Sequence, residues 1–402
     1  MLPTKIDSVM TTIDVSGLFV TNVKSFGAVG NGIADDTAAI NAALASGAKE
    51  LYFPPGNYRH QALTVPSTLH RMYGSGAGSC TLTGIGSPAS YTPFLYFNAI
   101  AEFEIFGFKL NYNHTTYALN PALHFGGCSD VHVHHVNVAE GGYIGMYFSN
   151  CQRVWVEKNK WGTTAHYQCH ADTGSGNVKI LDNYFTGAAG GHIIHIGGGN
   201  EHLVRGNVID ATVSGSFGIS LTDSVFESIV SGNLVRTGYL EGIQLTDSFR
   251  NTIEGNQIIC TGATHTDMGI SLSAEGGDVF DNIVIGNRIH ECGTTGIGLA
   301  SDSRLGTKQC FRNLVADNKI FNPNKRTSGG VGCWIYGTLS TSNTMRDNEV
   351  DDQASTVQYA VKEYNNGDGN PNNNLFIHNN LRSGARIADA LALGGGTVIK
   401  AL

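Results

Sequence analysis

Hydrophobic and polar residues alternate in short segments along most of the chain, and these segments recur at a regular spacing. One motif has the form apolar-x-(Gly or Asp)-Asn-x-apolar, as in ILDNYF, IVSGNLV and VIGNRI. Its Asn residues are Asn183, Asn207, Asn233, Asn256, Asn287, Asn318 and Asn348, with extensions at Asn159 and Asn379. Short alternating strands that repeat every 20 to 50 residues, separated by Gly and Asn, are typical of a β-solenoid.

A second unit recurs between the Asn motifs, as FGISLTDS, EGIQLTDS, MGISLSAE and TGIGLASD. In a parallel β-helix each strand pairs with its equivalents about 4.8 Å above and below. Apolar residues such as Ile219, Leu221 and Ile243 would then stack inside as one core. We therefore predict an all-β parallel β-helix, with about 11 coils over residues 100–390 and a length of about 50 Å.

The repeated Asn is predicted to be structural rather than a binding residue. An Asn at a fixed corner tolerates the left-handed backbone conformation and hydrogen-bonds to its own backbone. Asn side chains that stack from coil to coil also form hydrogen-bonded ladders.

Residues near the N-terminus follow a different pattern. Asp35 and Asp36 precede Thr37-Ala-Ala-Ile-Asn-Ala-Ala-Leu44, and Gly47 follows, which predicts a short helix with an acidic start and a glycine stop. Such a helix would cover the first coil, whose strand edges and core would otherwise be exposed. The predicted divisions are a lead-in segment at 1–21, a capping helix and first coil at 22–60, and the β-helix at 61–402.

Composition narrows the classes of partner. The chain has 25 Lys and Arg against 33 Asp and Glu, a net charge of −8, and lacks the basic runs that follow a phosphate backbone, so nucleic acid is not expected as a partner. No window approaches the ~18 apolar residues needed to cross a bilayer, so membrane insertion is not expected. The eight Cys are scattered without a CxxC motif, which predicts buried thiols rather than a disulfide scaffold or zinc ribbon.

Two local motifs are rich in residue types that bind metal ions. The residues His132, His134 and His135 in VHVHHV alternate between the faces of a strand and do not form a three-ligand set. The run YNNGDGNPNNN is rich in Asn and Asp but lacks the ordered spacing and terminal Glu of a calcium loop. The sequence therefore predicts neither a metal nor a cofactor. The first residues, MLPTKIDSVMTTIDVSG, lack the apolar region and cleavage site of a signal peptide.

The string VKSFGAVGNGIADDTAAINAAL, followed by ELYFPPGNY, closely resembles the opening of pectate-lyase-3-like right-handed β-helix proteins. This group includes bacteriophage tailspike depolymerases and relatives of glycoside hydrolase family 28. The preceding segment, IDSVMTTIDVSGLFVTNV, resembles the lead-in of a tailspike. The resemblance implies a right-handed β-helix, a carbohydrate polymer as substrate, often a homotrimer, and a location on a phage tail or outside the cell.

The chain departs from two patterns within this resemblance. The NTD, DD, GHG and RIK motifs of polygalacturonases do not occur in order, and the DPHE signature of mannuronan epimerases is absent. Pectin hydrolysis and alginate epimerisation are therefore disfavoured.

Alternation along the strands predicts which polar side chains point outward. Aligning the repeated units gives one outward column of His124, Tyr147, Gln168, His195, Ser220, Gln244 and Ser271. It gives a second column of Ser149, His170, Thr222, Thr246 and Ser273. Flat polar faces with aromatic and imidazole groups suit sugars, whereas a merely solvated sheet face would have the same alternation. The predicted substrate-binding residues are His195, Tyr147, His170, Gln244, Ser220, Phe217, Tyr239 and Arg205.

Carboxylates supply the candidate catalytic groups. Asp223 and Asp247 lie 24 residues apart, one coil, and stacked like charges would leave one proton donor beside one base. Glycoside hydrolysis uses such a pair, separated by ~5–5.5 Å in retaining enzymes and ~6.5–9.5 Å in inverting ones. Glu241, before the same strand as Asp247, is predicted to supply the wider separation from the opposite corner. The alternative is that both Asp residues only close turns.

Three functions remain open at this stage. The first is an endo-acting glycan hydrolase of the tailspike type that uses Asp223, Asp247 and Glu241. The second is a polysaccharide lyase with Tyr147, His170 or His195 as base and Arg205 to neutralise a uronate carboxylate. The low content of basic residues argues against a long groove for a polyanion. The third is a glycan-binding adhesin or structural spike without catalysis.

Overall fold

Short strands with alternating buried and exposed side chains make up nearly all of the regular structure. The computed structural model describes residues 20–86, 89, 91–112, 120–186, 190–211, 216–237, 240–260, 268–301, 307–323, 330–353, 357–365, 369–383 and 388–400. Within them the strands are all parallel to their sheet neighbours and form three long sheets and one short sheet. The chain winds through the three long sheets in turn, so each circuit is one coil of a β-helix of about 12 turns.

The strands follow in chain order within each sheet. Sheet 1 contains Thr21–Asn22, Glu50–Phe53, Arg71–Gly74, Ala101–Phe106, Ser129–His134, Gln152–Glu157, Gly176–Leu181, Leu203–Arg205, Ile229–Ser231, Thr252–Glu254, Ile283–Ile285, Leu314–Ala316, Thr344–Arg346, Leu375–Ile377 and Val398–Lys400. Sheet 2 contains Asn31–Asp35, Gly56–His60, Cys80–Gly84, Lys109–Tyr112, Asn137–Gly141, Lys160–Thr163, Tyr184–Thr186, Val208–Ala211, Leu234–Thr237, Gln257–Cys260, Arg288–His290, Lys319–Phe321, Glu349–Asp351 and Asn380–Ser383. Sheet 3 contains Leu63–Val65, Leu95–Asn98, Pro121–Gly126, Ile144–Ser149, Tyr167–Ala171, His192–Asn200, Phe217–Phe226, Ile243–Thr246, Met268–Ala274, Thr295–Ser301, Gly330–Tyr336, Val357–Tyr364 and Ala388–Leu391. Sheet 4 contains Val279–Phe280, Cys310–Phe311 and Ser340–Thr341.

The core runs through the centre of the coils and contains the predicted apolar residues. Ile219, Ile243 and Ile270 pair in register on neighbouring strands of sheet 3 and are fully buried. Eleven described strands of sheet 1 begin between residues 100 and 390, which confirms the predicted number of coils. The eight cysteines are buried thiols, as predicted.

The predicted Asn ladder lies between sheets 1 and 2 and is continuous. Its nine members are buried, and the side-chain amide of one Asn donates to the side-chain oxygen of the next, as from Asn233 to Asn256 at 2.9 Å. The backbone N–H of each Asn donates to the same oxygen, so each amide is held on two sides. A second ladder, which the sequence analysis missed, joins Asn251, Asn282, Asn313, Asn343 and Asn374 on the other side of sheet 1.

The N-terminal end has the predicted cap. The α-helix Thr37–Leu44 buries Ile40, Ala43 and Leu44, and a 3-10 helix, Val23–Phe26, precedes it. Asp36 stands at the helix start, but its carboxylate accepts hydrogen bonds from the backbone N–H groups of Val29 and Gly30 instead of the helix. In the described part of the chain no helix has the length and apolar character that a membrane span requires.

Candidate functional site

A continuous column of ring side chains runs along the outer face of sheet 3. It places Tyr96, His124, Tyr147, His170 and His195 at equivalent positions on five consecutive strands. The centroids of successive rings lie 5.0, 4.7, 5.0 and 4.7 Å apart, which is about one strand spacing. Ser220 and Gln244 continue the same column beyond His195.

This register corrects the predicted columns at the strand Tyr167–Ala171. His170, not Gln168, stands between Tyr147 and His195. Gln168 is fully buried, and its side-chain amide donates to the backbone carbonyls of Gly162 and Thr186. The predicted alignment of this strand is wrong by two residues. Gln168 is polar although it points into the core, so the alternation of polar and apolar residues placed it on the outer face in the position that His170 occupies.

A second group of rings lies at the edge where the strands of sheet 3 begin. His192 stacks on Phe217 at 4.5 Å between centroids, and Tyr167 lies 5.5 Å from His192 and 5.2 Å from His195. His192 Nδ1 lies 2.6 Å from Ser220 Oγ, which donates to Gln244 Oε1 at 3.3 Å. The structure thus brings together six of the predicted binding residues in one surface, with the catalytic candidate Asp223 at its other edge. These six are Phe217, His195, His170, Tyr147, Ser220 and Gln244.

The histidines of this face are neutral at ordinary pH. Burial lowers the pKa of His170 and His192 to about 3, and that of His195 to about 4, although the charges of Asp223 and Asp172 oppose the shift at His195. The Nδ1 atoms of His170 and His195 are buried and have no hydrogen-bond partner. His195 Nε2 lies 3.0 Å from Thr222 Oγ1, which itself donates to Asp223 Oδ2 at 2.9 Å. Because that hydroxyl proton is used, His195 Nε2 donates, and its buried Nδ1 is the unprotonated ring nitrogen.

Asp172, at the end of the strand Tyr167–Ala171, is a functional candidate that the sequence analysis missed. Tyr147 Oη donates to Asp172 Oδ2 at 2.6 Å, and the backbone N–H of Thr173 donates to Oδ1 at 2.7 Å. Burial raises the pKa of Asp172, but these hydrogen bonds outweigh it and the pKa is lowered. Burial and the bond to Asp172 raise the pKa of Tyr147, so its hydroxyl stays protonated.

Asp223 and Asp172 stand on either side of a floor formed by Gly197. Asp172 follows Ala171, which pairs with Ile196, and Asp223 follows Thr222, which pairs with Gly197. The backbones of Asp172 and Asp223 therefore lie two coils apart, about 10 Å. Gly197 has no side chain in this space, where a Cβ would lie 3.5 Å from His195 Cε1 and 3.7 Å from Asp223 Oδ2. The missing side chain at Gly197 leaves open space beside the Asp223 carboxylate.

Asp247 follows Asp223 by one coil, as predicted, but its carboxylate faces the next coil. It accepts hydrogen bonds from the backbone N–H of Glu275 at 2.8 Å and of Gly276 at 3.0 and 3.1 Å. Its backbone has φ +54, and that of Asp223 has φ +57, which is typical of Asp in a turn. The turn function that the sequence analysis kept as an alternative therefore describes the contacts of Asp247.

Glu241 lies at the opposite edge of sheet 3. Its backbone carbonyl accepts from Gly218 N, beside Phe217, and six residues of extended chain, about 20 Å, separate it from Asp247. This distance exceeds the separation of an acid and base that act on one glycosidic bond. Burial, together with the charge of Glu275, raises the pKa of Glu241.

Arg205 is not part of this face. It lies on the strand Leu203–Arg205 of sheet 1 and lines a depression of about 440 Å³ with Glu254 and Ile285. The described sheet 3 strands from Leu95–Asn98 to Met268–Ala274 contain neither Lys nor Arg. Tyr239 lies outside the described residues. A metal-ligating cluster of Glu104, His132 and His134 lies on sheet 1 rather than on this face.

Comparison with a family model identifies the repeats. The model described as "Right handed beta helix region" matches residues 96–258 and 171–340, which together cover more than half of the chain. A Mannuronan C5-epimerase AlgE2 of Azotobacter vinelandii is 41% identical over 73 residues, 15% of this chain. The matched segment spans only 7% of the length of that epimerase.

Solved structures share the architecture at low sequence identity. The catalytic unit of a thermostable alpha-1,3-glucanase from Streptomyces thermodiastaticus has a TM-score of 0.58 and 14% identity, over 94% of this chain and 68% of that one. The Dettilon tailspike protein has a TM-score of 0.57 and 15% identity, also over 94% and 68%. Both are similar to this chain in fold.

Proposed function

Because the chain belongs to the right-handed β-helix family, we propose that it is a polysaccharide-cleaving hydrolase with its active site on sheet 3 around Gly197. The observation that carries this proposal is the pair Asp172 and Asp223, which flank Gly197 at the end of a column of rings. The rings offer apolar faces for sugars.

The two carboxylates have different surroundings, which suits an acid and a base. Asp172 is held ionised by the hydrogen bonds from Tyr147 and Thr173, and it activates a water molecule above Gly197. Asp223 is exposed in the free protein and receives one side-chain hydrogen bond, from Thr222. In the proposed reaction Asp223 is the general acid that donates a proton to the leaving oxygen.

An uncharged or amino-bearing glycan fits this face better than a polyuronate. The strands of the face provide no Lys or Arg to neutralise a uronate, and their histidines are neutral. The edge carries the carboxylates of Asp172 and Asp223 instead, and these would repel an anionic polymer.

The second candidate is a lyase or epimerase that abstracts a proton from a uronic acid. The neutral His170 and His195 supply possible bases, and the short segment similar to mannuronan epimerases supports a link with such chemistry. The position of Arg205 on sheet 1 leaves this mechanism without its expected cation. A glycan-binding adhesin would use the same ring column without either carboxylate.

The experiment is incubation of the purified chain with a panel of neutral, amino-bearing and uronic polysaccharides. Reducing ends and the ultraviolet absorbance of unsaturated products are followed together. New reducing ends without absorbance support the hydrolase, absorbance supports the lyase, and binding without either product overturns both in favour of the adhesin.

The homotrimer and the location on a phage tail or outside the cell remain proposals that rest on the resemblance to tailspikes. Sedimentation of the purified chain measures the first directly. Three-fold mass would support the trimer, and a mass equal to the chain mass of 42.7 kDa would contradict it.

A further inference from the structure

The outer face of sheet 1 holds a compact cluster of metal-ligating side chains near the N-terminal end of the rod. Glu104, His132 and His134 each present a ligand atom, and these atoms lie within 4.8 Å of one another. His132 pairs with Glu104 across neighbouring coils, and His134 stands two residues further along the same strand. Alternation places His132 and His134 on one side of the strand, so the third ligand comes from the coil before it and not from His135.

The contacts of the two imidazoles show where a cation would lie. His134 Nε2 is 3.0 Å from Glu104 Oε1, and His132 Nε2 is 3.2 Å from Glu157 Oε1. Glu157 belongs to the following coil and pairs with His134 in the sheet. The Nε2 atoms of His132 and His134 thus each lie beside a carboxylate oxygen of a neighbouring coil. A bound cation would take the place of the imidazole protons in these contacts.

Neighbouring groups already orient these ligands. Arg71 Nε donates to Glu104 Oε2 at 2.6 Å and leaves Oε1 turned towards His134. His134 Nδ1 lies 2.8 Å from His135 Nδ1, which accepts its proton when Nε2 is a ligand. Metal-binding imidazoles commonly donate their second N–H in this way.

We propose that this cluster binds one divalent transition-metal ion of the zinc type through a ring nitrogen each of His132 and His134 and a carboxylate oxygen of Glu104. Two imidazoles with carboxylates favour zinc, cobalt, nickel or copper over calcium or magnesium, which prefer oxygen ligands alone. A depression of about 270 Å³, lined by Glu104 and His132, gives solvent access to the site. The ion joins two consecutive coils and stabilises the N-terminal part of the rod, independently of any glycan chemistry.

The experiment uses the full chain after dialysis against a chelator, titrated with Zn²⁺ by calorimetry and with Co²⁺ by visible absorption. The proposal expects one ion per chain, a tetrahedral Co²⁺ spectrum and a higher unfolding temperature with Zn²⁺. Glu104→Gln and His134→Gln should each weaken binding by at least about tenfold, the usual effect of losing a ligand or its support. Since these residues are partly exposed, both variants are expected to fold, which circular dichroism verifies.

His290→Gln is the matched control, because His290 lies on sheet 2 and stacks on Phe321 away from the cluster. The His290→Gln variant should bind Zn²⁺ with the same affinity and stoichiometry as the parent chain. The absence of a stoichiometric ion, or equal affinity in the parent and in folded Glu104→Gln and His134→Gln, overturns the site.

Discussion

Asp172 and Asp223 lie on the two coils that flank His195, and both charges act on its imidazole. Neither carboxylate neighbours the other in sequence, since 50 residues and two circuits of the helix separate them. The stacking of the coils brings them near each other. The acidic residues of this edge therefore fall into two groups: Asp172 and Asp223 lie beside Gly197, whereas Asp247 accepts hydrogen bonds within a turn.

Asp172→Asn and Asp223→Asn are each expected to lower the rate of glycan cleavage by about 10²- to 10⁴-fold, because each removes an acid–base group. The unfolding temperature should change little. Asp247→Asn is the matched control, since its side-chain oxygen still accepts from Glu275 N and its activity should remain close to that of the parent. Initial rates on the best substrate of the panel are the measurement, and full activity in Asp172→Asn would contradict the assignment.

Gly197→Val should preserve the fold and impair the site. A Cβ at Gly197 meets its nearest neighbours at ordinary contact distances, so the added methyl groups fill the floor between the carboxylates. Gly199→Ala provides the contrast, because its Cβ would lie 1.9 Å from Ser175 O and its φ is +89, so we expect a loss of about 3 kcal/mol or more. Urea unfolding and cleavage rates, measured on both variants, separate the two effects. Unchanged activity in folded Gly197→Val would exclude this floor as the cleavage site.

The stability of the fold should fall as the pH drops below about 6.5. The folded pKa values of His124, His170, His192 and His195 are about 3 to 4, whereas the unfolded chain titrates near 6.5, so the unfolded state binds more protons between these values. Each such histidine contributes up to one proton, about 1.4 kcal/mol per pH unit. Their stabilisation is complete above the unfolded pKa and is lost as the pH falls towards the folded pKa.

The measurement is urea unfolding between pH 7 and pH 4.5. His195→Gln should make the dependence shallower by up to one proton, while Asn41→Ala, on the exposed side of the capping helix, adds or removes no titrating group and should leave the slope unchanged. If the parent chain had the same free energy of unfolding at pH 7 and pH 4.5, the conclusion that these histidines are neutral in the folded state would be wrong.

Asn256→Ala should cost about 1–3 kcal/mol, because it leaves the backbone N–H of Asn233 and its side-chain amide without their acceptor in the buried ladder. Asn41→Ala, on the exposed side of the capping helix, is the control and should stay within about 0.5 kcal/mol. Equilibrium unfolding of both variants gives the comparison, and equal stabilities would mean that the ladder adds nothing.

The coils could be predicted from the sequence because each repeats the same local chemistry. Asn233 and Asn256 occur in almost identical surroundings, so a single pattern locates both. The second ladder was not found because Ser228 occupies the position that Asn251 holds one coil later, so the repeat changes residue type along its length.

The site was harder to predict because it depends on register between coils. Asp172 was missed since it aligns with Gly197 and Thr222, neither of which is acidic, and a register shift after Gly197 obscures the alignment. Arg205 was grouped with the histidines by sequence distance, although a coil carries nearby residues to different sheets.

The two Asn ladders bound sheet 1 at both edges, with Asn251 before and Asn256 after the strand Thr252–Glu254. The spacing between successive ladder positions nevertheless changes from 23 to 31 residues after Asn256, and sheet 4 begins in that coil. Sheet 1 therefore keeps successive coils in register although the coils differ in length. The extra residues of the longer coils lie outside sheet 1. A peptide inserted between Ala274 and Val279 should leave the neighbouring layers aligned, whereas one inserted between Asn251 and Asn256 should interrupt the stack.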